Sequence, residues 1–156
     1  FYNLLMNQEK YKWDPSGHWK LSIGVTITIS NMNFAYLRPM HEFFEENYPR
    51  FKVWNNSVYF PRYYSASNVP PFTKEEYLNR VRQPEKFGHK PWDPEKYKND
   101  ILPIVKHADQ PYNNDLWRSF VHETTAADKY RKEDYRTMFP EMWRMVKTAW
   151  DPLYRP

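Results

Sequence analysis

From Leu21 to Ser30 apolar and small polar residues alternate without a break. Leu21, Ile23, Val25, Ile27 and Ile29 lie against Ser22, Gly24, Thr26, Thr28 and Ser30. A period of two in mostly β-branched residues predicts a strand. Ile23, Val25, Ile27 and Ile29 are expected to pack on helices, with Thr26, Thr28 and Ser30 on the opposite face. Ser30-Asn31-Met32-Asn33 ends the strand, and a helix is predicted from about Pro39, with Met40, Phe43 and Phe44 as its apolar stripe. Asn47 and Pro49 stop it. Residues 51–60 are aromatic and apolar but broken by Asn55-Asn56, which reads as one short strand or as a strand with a turn; residues 61–71 have the composition of a loop.

Beyond residue 72 the period is helical. Thr73-Lys74-Glu75-Glu76 has the form of a capping box ahead of Tyr77, Leu78 and Val81. Residues 83–94 are a Pro-rich connector. Asp93 and Pro94 then open a helix that carries Tyr97, Ile101, Ile104 and Val105 on one face, and Pro103 is expected to kink or break it. Asn113 or Asn114 caps a helix over 114–131, whose Leu116, Trp117, Phe120 and Val121 are expected in the main core. Phe139-Pro140-Glu141 begins a last helix with Met142, Met145, Val146 and Ala149 as its stripe, and residues 1–13 suit the last turns of another, closed by a turn at 14–17. The fold class is therefore mixed α/β or α+β: a strand-containing part, 1–72, and a helical part, 73–156, within a single domain or fragment. So few strands make a poor sheet alone, which points to a fragment or to a chain that leans on a partner.

Composition narrows the chemistry. Aromatic residues are 19% of the 156, too many large rings for a disordered chain. Fourteen prolines and three glycines leave no Gly-rich phosphate loop. With no cysteine the chain offers no disulfide, thiol nucleophile or cysteinyl metal ligand. The net charge of +4 is mild and does not call for a nucleic-acid partner. No apolar run approaches the ~20 residues of a membrane span, so a soluble, cytoplasmic protein is expected. The chain opens at Phe1 and reads as a fragment or a processed product.

Motifs for catalysis are sparse. None of the five histidines has a second at the i, i+4 spacing that places two imidazoles on one helix face. His122-Glu123 starts like HExxH, but Ala126 stands where the second ligand belongs. No GxSxG elbow is present. Asp128 and Arg131 have the spacing of a solvated helix pair, and the interleaved Tyr and Arg residues at 62–64, 130–131 and 135–136 could stack on bases. The small polar face of the 21–30 strand meets water in an ordinary two-layer sheet, whereas in a β/α barrel it faces the lumen.

Three segments in order, VTITISNMNFAYLRPMHEFFEEN, VYFPRYYSASNVPPFTKEE and DLWRSFVHETTAADKYRKEDYRTMFPEM, resemble the C-terminal part of radical S-adenosylmethionine proteins with a twitch-type end, of the kind common in marine bacteriophage and metagenomic sequence. The resemblance spans about residues 20–145. Its most specific piece is the aromatic helix followed by Asp128, Arg131, Pro140 and Glu141. It implies a partial β/α barrel, with Thr26, Thr28, Ser30, Asn31 and Asn33 as the ligand-facing positions of a complete member. In such a member a CxxxCxxC loop holds a four-iron cluster that cleaves S-adenosylmethionine. Lacking cysteine, this chain is expected to hold neither cluster nor cofactor, to have no metal site, and to be catalytically incompetent by itself. Its expected partner is a missing N-terminal part or another protein subunit. The alternative expectation is a non-catalytic interaction or structural subunit of a larger assembly.

Overall fold

The computed structural model describes residues 24–140 and residue 143. Strand β1 (Gly24–Ile29) leads through a 3₁₀ turn at Phe34–Tyr36 into helix α1 (Leu37–Asn47), and the chain returns as strand β2 (Lys52–Ser57). The two strands pair in parallel, Thr26 opposite Trp54 and Thr28 opposite Asn56. This is a β–α–β unit, the connection that parallel neighbours require. Among the described residues three longer helices follow, α2 (Pro71–Arg82), α3 (Leu102–Ala108) and α4 (Asn114–Arg131), so the fold is mixed α/β. A barrel is not shown: the sheet of the described residues has two strands.

Alternation along β1 sorts its side chains as the period demands. Ile27 and Ile29 are buried while Thr26 and Thr28 are exposed. Ile23 and residues 21–22 lie outside the described residues, as do the expected helix and turn at 1–17 and the stripe from Met142 to Ala149. Gly24 has a local reason: a Cβ there would lie 1.8 Å from the Trp54 ring, which covers it across the strand pair.

Helix α1 starts earlier than its proline suggests; of its expected stripe Met40 and Phe44 pack partly buried on the main core, but the fully buried positions lie beside them. Leu37, Arg38 and His41 are the buried positions, whereas Phe43 is exposed, resting edge-on against Phe44 and Tyr48. Arg38 is buried because its charge is met. It donates to both carboxylate oxygens of Glu45 at 3.1 Å and to the Lys90 carbonyl at 2.9 Å, and its guanidinium lies 4.7 Å from the Trp92 ring centre.

The capping box at Thr73 does not form. Pro71, whose fixed φ suits the first helical position, starts α2 two residues sooner, and the Lys74 N–H already donates to the Pro70 carbonyl at 2.8 Å. Thr73 is thereby inside the first turn, its hydroxyl buried without a partner, and Glu76 pairs with Arg80 instead. At 93–113 the local signals hold. Asp93 accepts from the Lys96 N–H, and Asn113 accepts from the Leu116 N–H. Pro103 stands in the first turn of α3, and the α-helical ladder opened at Pro94 is broken just before it. The preceding turn, Tyr97–Ile101, widens to a π-helix, which accommodates the missing N–H.

Two apolar clusters result. The larger joins Ile27, Ile29, Phe34 and Leu37 to Tyr77, Leu78 and Val81 of α2 and Ile101, Ile104 and Val105. Helix α4 does not enter it, contrary to expectation. Trp117, Phe120 and Val121 form a second cluster with Met32, Tyr63, Tyr64, Tyr112, Phe139 and Trp143. Leu116 is only half-buried.

Candidate functional site

The strand-end residues singled out by sequence are mostly structural. The Asn33 side chain bridges its own turn, accepting from the Ser30 N–H at 2.8 Å and donating to the Thr28 carbonyl at 2.9 Å. Asn31 is buried and reaches across to the 62–64 turn. Its N–H donates to the Tyr64 carbonyl and its Nδ2 to the Tyr63 carbonyl, both at 2.9 Å. Thr26 and Thr28 stand on the exposed sheet face and Ser30 is half-buried. Asp128 and Arg131 share a small cleft of about 180 Å³ with Met32, Tyr64 and Glu133. Pro140 is exposed, and Glu141 lies outside the described residues.

The structure gathers a different group. After the cis Phe60–Pro61 peptide, a 3₁₀ turn at Arg62–Tyr64 leads into Ser65-Ala66-Ser67-Asn68. Small hydroxyl and amide side chains fold back on their own backbone here: the Ser67 N–H donates to Ser65 Oγ at 3.2 Å, and the Asn68 N–H donates to the Ser65 carbonyl at 2.9 Å. Ser65 Oγ is also 2.8 Å from both Ser67 Oγ and the Nε2 of His107, near the end of α3. Tyr59 lies over that imidazole, ring centres 4.7 Å apart. These residues wall a cleft of about 430 Å³, closed on its far side by Tyr112, Asn113 and Leu116 at the start of α4.

Its electrostatics have one sign. Arg62 lines the cleft, and no carboxylate does. Lys74 is only 8% exposed, and its ammonium donates to the carbonyls of Ser67 and Gln110, both wall residues. Burial holds Lys74 below the ordinary lysine range. Asp109, the acid whose charge acts on it, is tied to Arg82 at 2.7 Å. Burial first, and the Lys74 charge second, hold His107 below the usual imidazole value, so it is neutral at pH 7. Asn68 is 2% exposed, yet neither its amide nitrogen nor its oxygen has a partner. A buried amide with nothing to bond is costly, and a polar guest in the cleft would offset that.

A neutral His107 can take a proton from Ser65, but Ser65 Oγ is already engaged by Ser67, so the hydroxyl is held as part of the wall. The arrangement is suited to holding a polar anion more than to attacking an ester. Sequence reasoning missed it. The S-A-S-N run between two prolines is a visible loop signal, but nothing local joins it to Lys74 or to His107, 42 positions from Ser65. Among the described residues no cluster of three or more His, Asp or Glu side chains is placed to hold a metal ion. Compared with protein-family models, curated proteins and solved structures, the chain matches none.

Proposed function

We propose that the chain is a binding module for a small anion-bearing ligand, such as a phosphate or carboxylate, seated in the cleft between Ser65–Asn68, His107 and the start of α4. The carrying observation is a cleft walled without a carboxylate, with Arg62 at its lining and the buried ammonium of Lys74 behind its wall. A charge pair about 4 Å apart at an effective dielectric near 20 attracts by about 4 kcal/mol before desolvation is subtracted. Donors for an anionic oxygen are at hand in the Arg62 guanidinium at the lining and in the unpartnered amide of Asn68. Titration of the full chain with inorganic phosphate, followed by amide NMR shifts at Ser65–Asn68, tests this. Saturable one-site binding is expected, weakening with salt and at least tenfold weaker in Lys74→Met and in Arg62→Gln. Absence of saturable shifts with phosphate, sulfate and acetate alike overturns it.

A second reading, kinship with radical S-adenosylmethionine proteins, draws support from one observation. β1 and β2 pair in parallel across a helix, the repeating unit a β/α barrel would need, with Thr26 and Thr28 opposite the helix-packed face. On that reading the chain corresponds to late barrel strands and a helical tail, needs its cluster-bearing part from elsewhere, and is inert alone. A gene whose upstream frame carries no CxxxCxxC loop would remove the support.

A further inference from the structure

Tyr59 borders two clefts. On one side lies the cationic cleft described above. On the other lies a second, of about 280 Å³, bordered by Trp54, Asn55 and Asn56 of β2 and by Asn99 and Asp100 of the π-helical turn. The two differ sharply in chemistry. The first is lined by the cation Arg62 and by no acid. The second is bordered by no cation, by three asparagines and one aspartate, and by two exposed aromatic residues, Trp54 and Tyr59. Asn55 bonds His41 through its oxygen at 3.0 Å, leaving its buried Nδ2 without a partner. That side chain turns to the helix-packed face beside Ile27, so the polarity of the second cleft rests on Asn56, Asn99 and Asp100.

From this polarity we infer that the two clefts together take one bipartite ligand, a phosphate ester of a hydroxyl-bearing ring, with the phosphate in the Arg62 cleft and the ring beside Trp54 and Tyr59. The inference rests on the anion-binding reading and names its ligand class. Asp100 is a poor neighbour for a second anion but a good acceptor for ring hydroxyls, and the amides of Asn56 and Asn99 both donate and accept. Flat faces of Trp54 and Tyr59 suit the apolar face of a sugar or the plane of a base. Opposite preferences at the two ends fix which way round the ligand lies. Sugar phosphates and nucleoside monophosphates share this chemistry.

Calorimetric titration of the full chain at fixed ionic strength, with inorganic phosphate, ribose 5-phosphate, adenosine 5′-monophosphate and unphosphorylated ribose, separates the possibilities. Ribose 5-phosphate is expected to bind at least tenfold more tightly than phosphate, with ribose alone undetectable. Asp100→Ala is expected to return the ester to the affinity of phosphate. A further gain for adenosine monophosphate that Trp54→Ala removes identifies a nucleotide, and no further gain identifies a sugar phosphate. If phosphate binds and neither ester binds more tightly, or Asp100→Ala leaves the gain intact, the bipartite site is overturned and the anion reading stands. If phosphate itself does not bind, the anion reading falls and this inference with it.

Discussion

Replacing Phe120 with alanine removes a ring that is 0% exposed and that holds α4 to the rest of the chain. The ring stacks on Trp117 at 5.0 Å and meets Tyr64 edge-on at 5.7 Å. An aromatic side chain of this kind buries about 150–250 Å², worth about 4–6 kcal/mol at 25 cal/mol per Å². A compact unfolded state lowers that by roughly 10–40%, whereas the lost ring pairs and the cavity add to it. The expected cost is about 3–5 kcal/mol, a large part of the ~5–15 kcal/mol that holds a domain together. Because the ring belongs to the second cluster and not to the main core, the loss should fall first on the docking of α4. Hydrogen exchange should quicken along 114–131 while amides of α2 around Tyr77 and Leu78 keep their protection at low denaturant. Guanidinium unfolding should shift to a lower midpoint, with near-UV dichroism from the aromatic cluster lost ahead of the far-UV signal. Tyr64 is the ring's neighbour in the turn that carries Arg62, so phosphate affinity should weaken as well. An unchanged midpoint, with unchanged exchange along α4, would refute the burial argument.

Stability should also fall in mild acid. Burial first of all lowers the pKa of both His41 and His107, so the unfolded chain binds their protons more readily than the folded one. Their contribution is whole above about pH 6.5 and is lost as pH drops through that value toward their depressed ones. Urea midpoints should be lower near pH 5 than near pH 7.5, and His41→Gln, whose amide can still donate to Asn55, should flatten part of the slope; a level profile over that range would count against it. At the end of α4, Lys132 has φ of 59°, a left-handed conformation that costs a side-chain-bearing residue about 1 kcal/mol. Lys132→Gly should therefore raise stability by up to about that amount, read as a higher denaturation midpoint, and a fall of similar size would show the strain to be absent.

What could be read from the chain alone was what neighbours within one or two turns decide. The alternation over 24–29 dictates which side of β1 is buried, and Asn113 with the spacing of Trp117, Phe120 and Val121 marks the helix at 114–131. Asp93 and Pro94 opened a helical turn for the same reason: their bonds close within three or four residues. Even here one local signal overrode another, since Pro71 started α2 before the capping box at Thr73 could act. Tertiary structure decided the rest. Which face of α1 is buried depended on Glu45 and Trp92 meeting the charge of Arg38, so a cation went in and Phe43 stayed out. Whether α4 joined the main core or built its own depended on the turn at 62–64 coming to meet it. The candidate site is the extreme case, because Ser65, Asn68, Lys74 and His107 carry no shared periodicity, and their common environment exists only once α2 and α3 have packed. Hydrogen-bonded elements are specified by short stretches of sequence, while burial and electric potential are sums over everything the fold brings near, and those sums turned an ordinary loop, a lysine and a histidine into a cationic cleft.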